Sequence, residues 1–516
     1  MTEIFDVVVV GFGLAGAIAA VEAHDRGASV VIIEKQTVPG GLSICAGGGA
    51  RIAEDVDQAI AYLEASSAQT TPEPVLRALA KGMVELPRYM NSLAEPFGAT
   101  ISTVPVKGNY PLPGYETWRF IEVDSIPGLD PAAAYPHVRA EGAAKGITMF
   151  ALAHRHVLRR GIALRLGTAV DRLWCDGDEI KGVRCGDAAI AARRAVVLAC
   201  GGFEAADDLQ RQFWPAPMRS AATLANTGDG IRMAQAAGAG LWHMWHSHGV
   251  YGFHHPDAAY KLGIRIRRLH NWIPGSPANR TSPMSWIIVD RRSRRFMNEY
   301  DPYMQDTNHR PLSHYDPATQ CFPRIPALLV VDARGRALYT LCEPSYNDAA
   351  IAARFNRQSV HELDDLVLTT RSSLVEIADA FALDRAAFRA TIDDWNAACA
   401  AGIDRAFGRP PASLMPIAEP PFSAAHVWPI VSNTQGGLPH DAEQRVLDAF
   451  GAPIPRLYVA GELGSVFGHL YISGGNFSEC LVGGQIAGRN AARFAPWCAG
   501  LPGTIAWRKN QQSSVE

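Results

Sequence analysis

Three glycines and one carboxylate stand near the start of the chain at a spacing that suits phosphate and sugar. Gly11, Gly13 and Gly16 form G-x-G-x-x-G within VVVVGFGLAGAIAA. Glu34 follows about 20 residues on, where a carboxylate accepts ribose hydroxyls. Gly11 makes the tight turn, Gly13 lets the backbone approach a pyrophosphate, and Gly16 lets helix and strand pack closely. Leu14 and Ala15 open the helix, whose unpaired N–H groups attract phosphate. The chemistry is the holding of a dinucleotide. About 450 residues later comes GELGSVFGHLYISGGNFSECLVGGQIAGRNAA, residues 461–492, rich in glycine and carrying Tyr471 and Ser473.

The elements that position the first group are legible. Residues 4–10 are a β-branched run that predicts a buried parallel strand. An Ala-rich helix follows to about Arg26 and stops at Gly27, and residues 28–33 predict a second buried strand ended by Glu34. G-x-G-x-x-G alone is a weak signal. In the order strand, glycines, helix, strand, acid it is specific. Lys35 is followed by PGGLSICAGGGARIA, residues 39–53. Such a segment is expected to run along a nucleotide rather than fold as a crossover helix. Gly40, Gly41 and Ser43 are candidate pyrophosphate ligands, and Gly47, Gly48 and Gly49 let backbone pass a flat ring. This favours FAD over NAD.

That segment resembles the GG-x-S-x-x-x-GG stretch of the fumarate reductase/succinate dehydrogenase flavoprotein superfamily, which includes the 3-ketosteroid dehydrogenases. Three more stretches carry the resemblance: RAVVLACGGF (194–203, with Gly201 and Gly202), NTGDGIRMA (226–234, with Asp229) and IPRLYVAGE (454–462, ending in Glu462). It implies an α/β fold: a Rossmann-like FAD-binding domain of the glutathione-reductase type, with an inserted α+β catalytic or capping domain. The Glu462 carboxylate then approaches ribityl or ribose hydroxyls, and Gly475, Asn476 and Leu481 join the FAD contacts. No His stands where a covalent flavin link would need it, so FAD is expected to be non-covalent.

Three motifs bear on substrate. Dicarboxylate enzymes of the superfamily need cationic forks for two carboxylates. RRFMNEYDPYMQD (294–306) resembles their R-F-x-N-E segment, but Tyr303 replaces the proton-donating Arg. SNTQGGL (432–438) resembles H-x-T-x-G-G, with Ser432 for His. HLYISGGN (469–476) resembles N-R-L-G-G-N, with Ile472 for Arg. The replacements look like flavin-dependent 3-ketosteroid dehydrogenases, most closely the Δ4-(5α) type, and related cyclic-ketone desaturases. The resemblance makes Tyr303, Tyr471 and Ser473 the catalytic candidates. One phenol donates to the ketone oxygen, the other removes the α-proton with Ser473, and the β-hydride goes to flavin N5. Tyr471 is favoured at the carbonyl and Tyr303 at the proton, and the two roles are exchangeable. An unperturbed phenol titrates near 10, so a basic Tyr needs a positive neighbour, a helix terminus or a hydroxyl relay.

The rest of the chain limits the alternatives. Its 516 residues are 48% hydrophobic and 19% charged, with net charge −3. This suits a large core and gives no pull toward nucleic acid or anionic membrane. Nine cysteines are scattered singly, with no C-x-x-C for zinc, an iron–sulfur cluster or haem. Electrons therefore go to an external acceptor. With no signal peptide and no run of about 18 apolar residues, no integral membrane segment and a cytoplasmic location are expected. His243, His246, His248, His254 and His255 lack metal-ligand spacing, and no metal site is expected. Composition places FAD-binding parts at 1–240 and 425–495, the inserted domain at 241–424, and a tail at 496–516. Residues 71–94, 146–160 and 373–401 predict helices, 110–128 an ordered loop, and Asp176-Gly177 a hairpin turn. Trp118, Trp242, Trp245, Tyr251, Phe253 and Trp272 are candidates for an apolar pocket wall. Arg119, Arg265, Arg267 and Arg268 leave room for a ring bearing a carboxylate. The leading expectation is desaturation of a ring ketone. The alternatives are an ene reductase with an external donor and a flavin-binding protein without turnover.

Overall fold

The computed structural model describes residues 2–139, 144–269, 283–300 and 304–497. Two eight-stranded sheets carry the architecture. In the first, β1 (Glu3–Val10) lies between β2 (Val30–Ile33) and the strand Ala188–Leu198, all parallel. The last five residues of β1 are buried, as a strand covered on both faces requires. Ala163–Arg165 extends the sheet beyond β2, and Pro453–Val459 pairs in parallel with Ala188–Leu198 on the other side. Helix α1 (Leu14–His24) leaves the end of β1, and Gly27 turns the chain at φ +79°.

The two ends of the chain meet through small residues. The C-terminal helix Gly475–Arg493 lies on α1. A methyl on Gly484 would stand 2.9 Å from the Ala15 carbonyl oxygen, and one on Gly488 would overlap that of Ala19. The glycines of LVGGQIAGR thus set helix-to-helix distance, and this contact brings the Tyr471 loop back to the nucleotide end.

The second sheet runs Trp286–Val289, Ala327–Val331, Phe422–Thr434, Ser247–His254, Gly263–Ile266, Cys342–Glu343. Arg219–Ser220 and Thr369–Arg371 also pair with its long strand, Phe422–Thr434. The second sheet already recruits residues 219–220, and position 425 falls inside its longest strand, so the chain returns to the nucleotide sheet only after Thr434.

Other expectations shift for local reasons. Residues 373–401 form two helices, Leu374–Ala380 and Arg385–Ala401, because Asp384 caps the second through Ala387 N. The expected loop at 110–128 contains the strand Trp118–Ser125, flanked by Ala50–Ala53 and Thr100–Val104. Its Trp, Phe, Ile and Val favour a pleated surface. The hairpin strands end at Asp176 and resume at Glu179, so its turn is Gly177-Asp178. The helix expected over 71–94 begins at Glu73 after Pro72, and that over 146–160 spans Ala144–Arg159. No helix among the described residues is long and apolar enough to cross a membrane.

Candidate functional site

A cleft of about 820 Å³, counted to its open mouth, runs past the end of β1. Gly11, Gly13, Leu14, Ala15, Glu34, Lys35, Gly41, Ser43, Gly201, Asp229 and Glu462 line it. The three fingerprint glycines divide by physical cause. Gly11 sits at φ +103° with its α-carbon facing Ala199 and Cys200 backbone, and a methyl on Gly16 would overlap the Gly11 carbonyl oxygen. Both are demanded by the protein itself. Gly13 has φ −87°, and a methyl there would meet only Ser43 Oγ at 3.5 Å and Gly40 O at 3.8 Å. Nothing in the fold requires glycine at 13, which fits a dinucleotide passing against its backbone. The donor set fits FAD in the same way. Glu34 accepts from Phe12 N and Gln36 N, both at 2.8 Å, which orients its carboxylate at the cleft. Lys35 Nζ spans to Asp229 Oδ2 at 2.6 Å and donates to Thr227 Oγ1 at 2.9 Å. Ser43 Oγ accepts from Leu14 N at 3.1 Å.

Gly16, Gly40, Gly47, Gly48, Gly49, Gly202, Gly475, Asn476 and Leu481 are not part of this lining. Most of these glycines have a packing reason. Gly40 faces Ile44, Gly48 faces the Lys145 backbone, Gly49 faces Phe120 and Gly475 faces Phe467. Leu481 is core. Sequence reasoning missed Thr168, Val170, Asn226, Met233 and Cys480, which do line the cleft. Asn226 opens the quoted NTGDG stretch and was within reach; Thr168 and Val170 follow a strand with no motif.

Three carboxyls, Glu462, Glu204 and Glu479, are buried, and Glu462 lines the cleft. Glu462 accepts from Thr434 N at 2.7 Å and Thr434 Oγ1 at 3.1 Å, and burial pushes it up to about 7. Burial, then the Glu462 charge, pushes Glu204 well above the carboxylate range. Burial pushes Glu479 up to about 8 although Val466 N and Asn476 Nδ2 both donate to it at 2.7 Å. The folded state holds the Glu479 proton to higher pH than an unfolded chain, whose carboxyl titrates near the ordinary 4.5. The stability this provides is full below pH 4.5 and is lost as pH rises through 8. The thermal midpoint is therefore expected to fall between pH 5 and 8.5, and to fall less in Glu479→Gln. An equal slope in the variant would refute the assignment.

The Tyr471 loop lies against the second sheet. Tyr471 is 6% exposed, its ring centroid 5.2 Å from Phe467 and 4.5 Å from His248. Its N–H donates to Asp306 Oδ2 at 3.0 Å, and Tyr110 OH donates to the same oxygen at 2.6 Å. Its phenol oxygen accepts from Asn476 N at 3.3 Å, in the first turn of the 19-residue C-terminal helix. A helix N-terminus favours negative charge there. Ser473 is tied elsewhere: its N–H donates to Asn109 Oδ1 at 2.6 Å, and Arg51 Nε and Nη2 donate to its carbonyl and hydroxyl oxygens at 3.0 and 3.3 Å. Arg51 is fully buried, 4.0 Å over Phe120, and sequence reasoning gave no signal for it. Tyr303 and Trp272 lie outside the described residues. Ile472, at the position of the family's Arg, is fully buried. The aromatic candidates do not form one wall: Trp118 packs in one core cluster, Tyr251 and Phe253 in another, and Trp245 is half exposed. Among the described residues no cluster of His, Cys, Asp or Glu is placed to hold a metal.

A family model described as FAD binding domain matches residues 6–478. The 3-oxosteroid 1-dehydrogenase of Mycobacterium tuberculosis is 28% identical, over 95% of this chain and 98% of its own. NADH:fumarate oxidoreductase of Klebsiella pneumoniae is also 28% identical over 95% of this chain, which spans 48% of that relative's length. The crystal structure of 3-ketosteroid delta1-dehydrogenase from Sterolibacterium denitrificans aligns with TM-score 0.77 at 25% identity, covering 95% of this chain and 100% of that one. The chain belongs to the FAD binding domain family and is an FAD-dependent oxidoreductase of the 3-ketosteroid dehydrogenase/fumarate reductase superfamily.

Proposed function

We propose that the protein desaturates a cyclic ketone at its α,β carbon–carbon bond and passes the electrons to an external acceptor. The observation that carries this is the placement of Tyr471: a buried phenol whose oxygen meets the N-terminus of the last helix, beside a fully buried Ile472. A group so placed suits a ketone oxygen that gains charge as the α-proton leaves. Residues 469–476 carry no Arg or Lys of their own. When bound, FAD supplies the hydride acceptor. Tyr471 holds and polarises the carbonyl, and Tyr303 with Ser473 takes the α-proton; exchanged phenol roles give the same products. Asp306, buried and fixed by Tyr110 and His246, positions the Tyr471 backbone. The names of several relatives, 3-oxosteroid dehydrogenases among them, support a ring ketone.

The test is anaerobic mixing of the FAD-loaded protein with a saturated 3-ketosteroid, cyclohexanone, 4-oxocyclohexanecarboxylate and succinate. Loss of oxidised-flavin absorbance with a ketone but not with succinate is expected. Bleaching by succinate alone would overturn the proposal.

A further inference from the structure

Alternation along the second sheet puts His248, Val250 and Gly252 of one strand on the same face as Arg265 of the next, since Gly252 pairs with Arg265. The neighbouring long strand breaks register here. His248 pairs with Asn433, and Gly249 pairs with Val431, so Ser432 is an inserted residue. Such a bulge re-aims side chains and recurs next to active sites. Arg265 Nη1 contacts Ser432 Oγ at 3.5 Å, and His248 Nδ1 lies 2.9 Å from Asn433 Oδ1. The His248 ring in turn packs on Tyr471. Ser432 is the position where dicarboxylate relatives carry His, so a guanidinium from a different strand comes to that place.

This guanidinium is poorly satisfied for its burial. Its side chain is 19% exposed, and Nε is buried without a hydrogen-bond partner among the described residues. The Ser432 contact is at the limit of a hydrogen bond. Glu343, its cross-strand neighbour, stands 3.8 Å from Nη2, too far to accept well, and spends its other oxygen on Arg268 N at 2.7 Å. Burial pushes His248 down to about 4, with the Arg265 charge adding to that; the same charge opposes the upward push of burial on Cys45 across the domain boundary. Arg265 thus lies within electrostatic reach of both His248, which packs on Tyr471, and Cys45 of the glycine-rich segment 39–53. Arg51, the guanidinium beside Ser473, is engaged with the Val106, Lys107 and Ser473 carbonyls.

We infer that Arg265 anchors a carboxylate on the substrate, so that the substrate class is a ring ketone bearing one carboxylate rather than a neutral steroid. This rests on the ketone-desaturation proposal for the reaction but not for the binding. A carboxylate would give the planar fork the paired acceptors that Ser432 and Glu343 do not.

The experiment titrates the FAD-loaded protein with cyclohexanecarboxylate and with cyclohexanecarboxamide, following the flavin difference spectrum, in wild type, Arg265→Gln and Arg265→Lys. Neither probe carries a ketone, so binding is read apart from turnover. Wild type is expected to prefer the acid by about 30- to 100-fold, the scale of a charge-assisted fork. Arg265→Gln should erase the preference, and Arg265→Lys should keep part of it. Equal binding of acid and amide by wild type, no binding of the acid, or an unchanged preference in Arg265→Gln would each overturn the inference. Wild type alone decides it should the Gln variant fail to fold. Bleaching by neutral ketones without acid preference would remove the carboxylate anchor and leave ketone desaturation standing. Arg265-dependent acid binding without bleaching by any ketone would do the reverse.

Discussion

Tyr471→Phe is expected to slow flavin bleaching by a ketone by about 10³-fold while leaving bound flavin unchanged. The substitution keeps the ring, so the packing on Phe467 and His248 survives. It keeps the backbone N–H that donates to Asp306. It removes one oxygen, whose described donor is Asn476 N. Losing that neutral hydrogen bond costs stability by about 1 kcal/mol, small beside a barrier change of about 4 kcal/mol for the expected rate loss. The two effects therefore separate: melting and flavin content report the first, single-turnover bleaching the second. Retention of more than about a tenth of the wild-type rate would be too much for a group that polarises the carbonyl or takes the proton. A Tyr303→Phe variant, measured alongside, is expected to lose rate on the same scale, because either assignment of the two phenols needs both.

The sequence carried the nucleotide end in local order: β-branched strand, glycines, helix, strand and acid are contiguous, and each step has its own chemistry. Gly48, Gly49 and Gly475 are harder to read, for the opposite reason. Gly48 and Gly49 clear Lys145 and Phe120, distant in sequence, and Gly475 clears Phe467; a glycine that clears another part of the protein looks in sequence like one that clears a ligand. Arg265 shows the same limit from the other side. As sequence it is one of several arginines in a basic stretch. Its approach to Ser432 accompanies a bulge in a strand far along the chain, where Ser432 is the inserted residue. Position 425 lies in a long strand of the second sheet whose last residues, Asn433 and Thr434, serve the site: Thr434 holds Glu462, and Asn433 Nδ2 donates to Asn476 Oδ1.

The clearest separation of fold from cofactor lies at Gly13, and Gly13→Val is expected to give a folded protein that has lost FAD. At Gly11 an added side chain would meet φ +103° and the Ala199 and Cys200 backbone, and at Gly16 it would overlap the Gly11 carbonyl oxygen. Substitutions there damage the strand–helix unit and say little about the ligand. At Gly13 the backbone is in the extended region open to any L-residue, and the nearest protein atoms lie 3.5 and 3.8 Å from a new Cβ. The added volume points into the cleft, where the dinucleotide must run against the backbone. Overfilling by a side chain of this size is worth roughly 1–3 kcal/mol, so FAD affinity should fall about 10- to 100-fold with the melting behaviour of the flavin-free protein preserved. Reconstitution of flavin-free wild type and variant with FAD, read by flavin fluorescence quenching, measures this. A variant that takes up FAD like wild type would place the pyrophosphate away from Gly13. A variant that fails to fold even without FAD would mean that the glycine serves the fold after all, against the open space at its α-carbon.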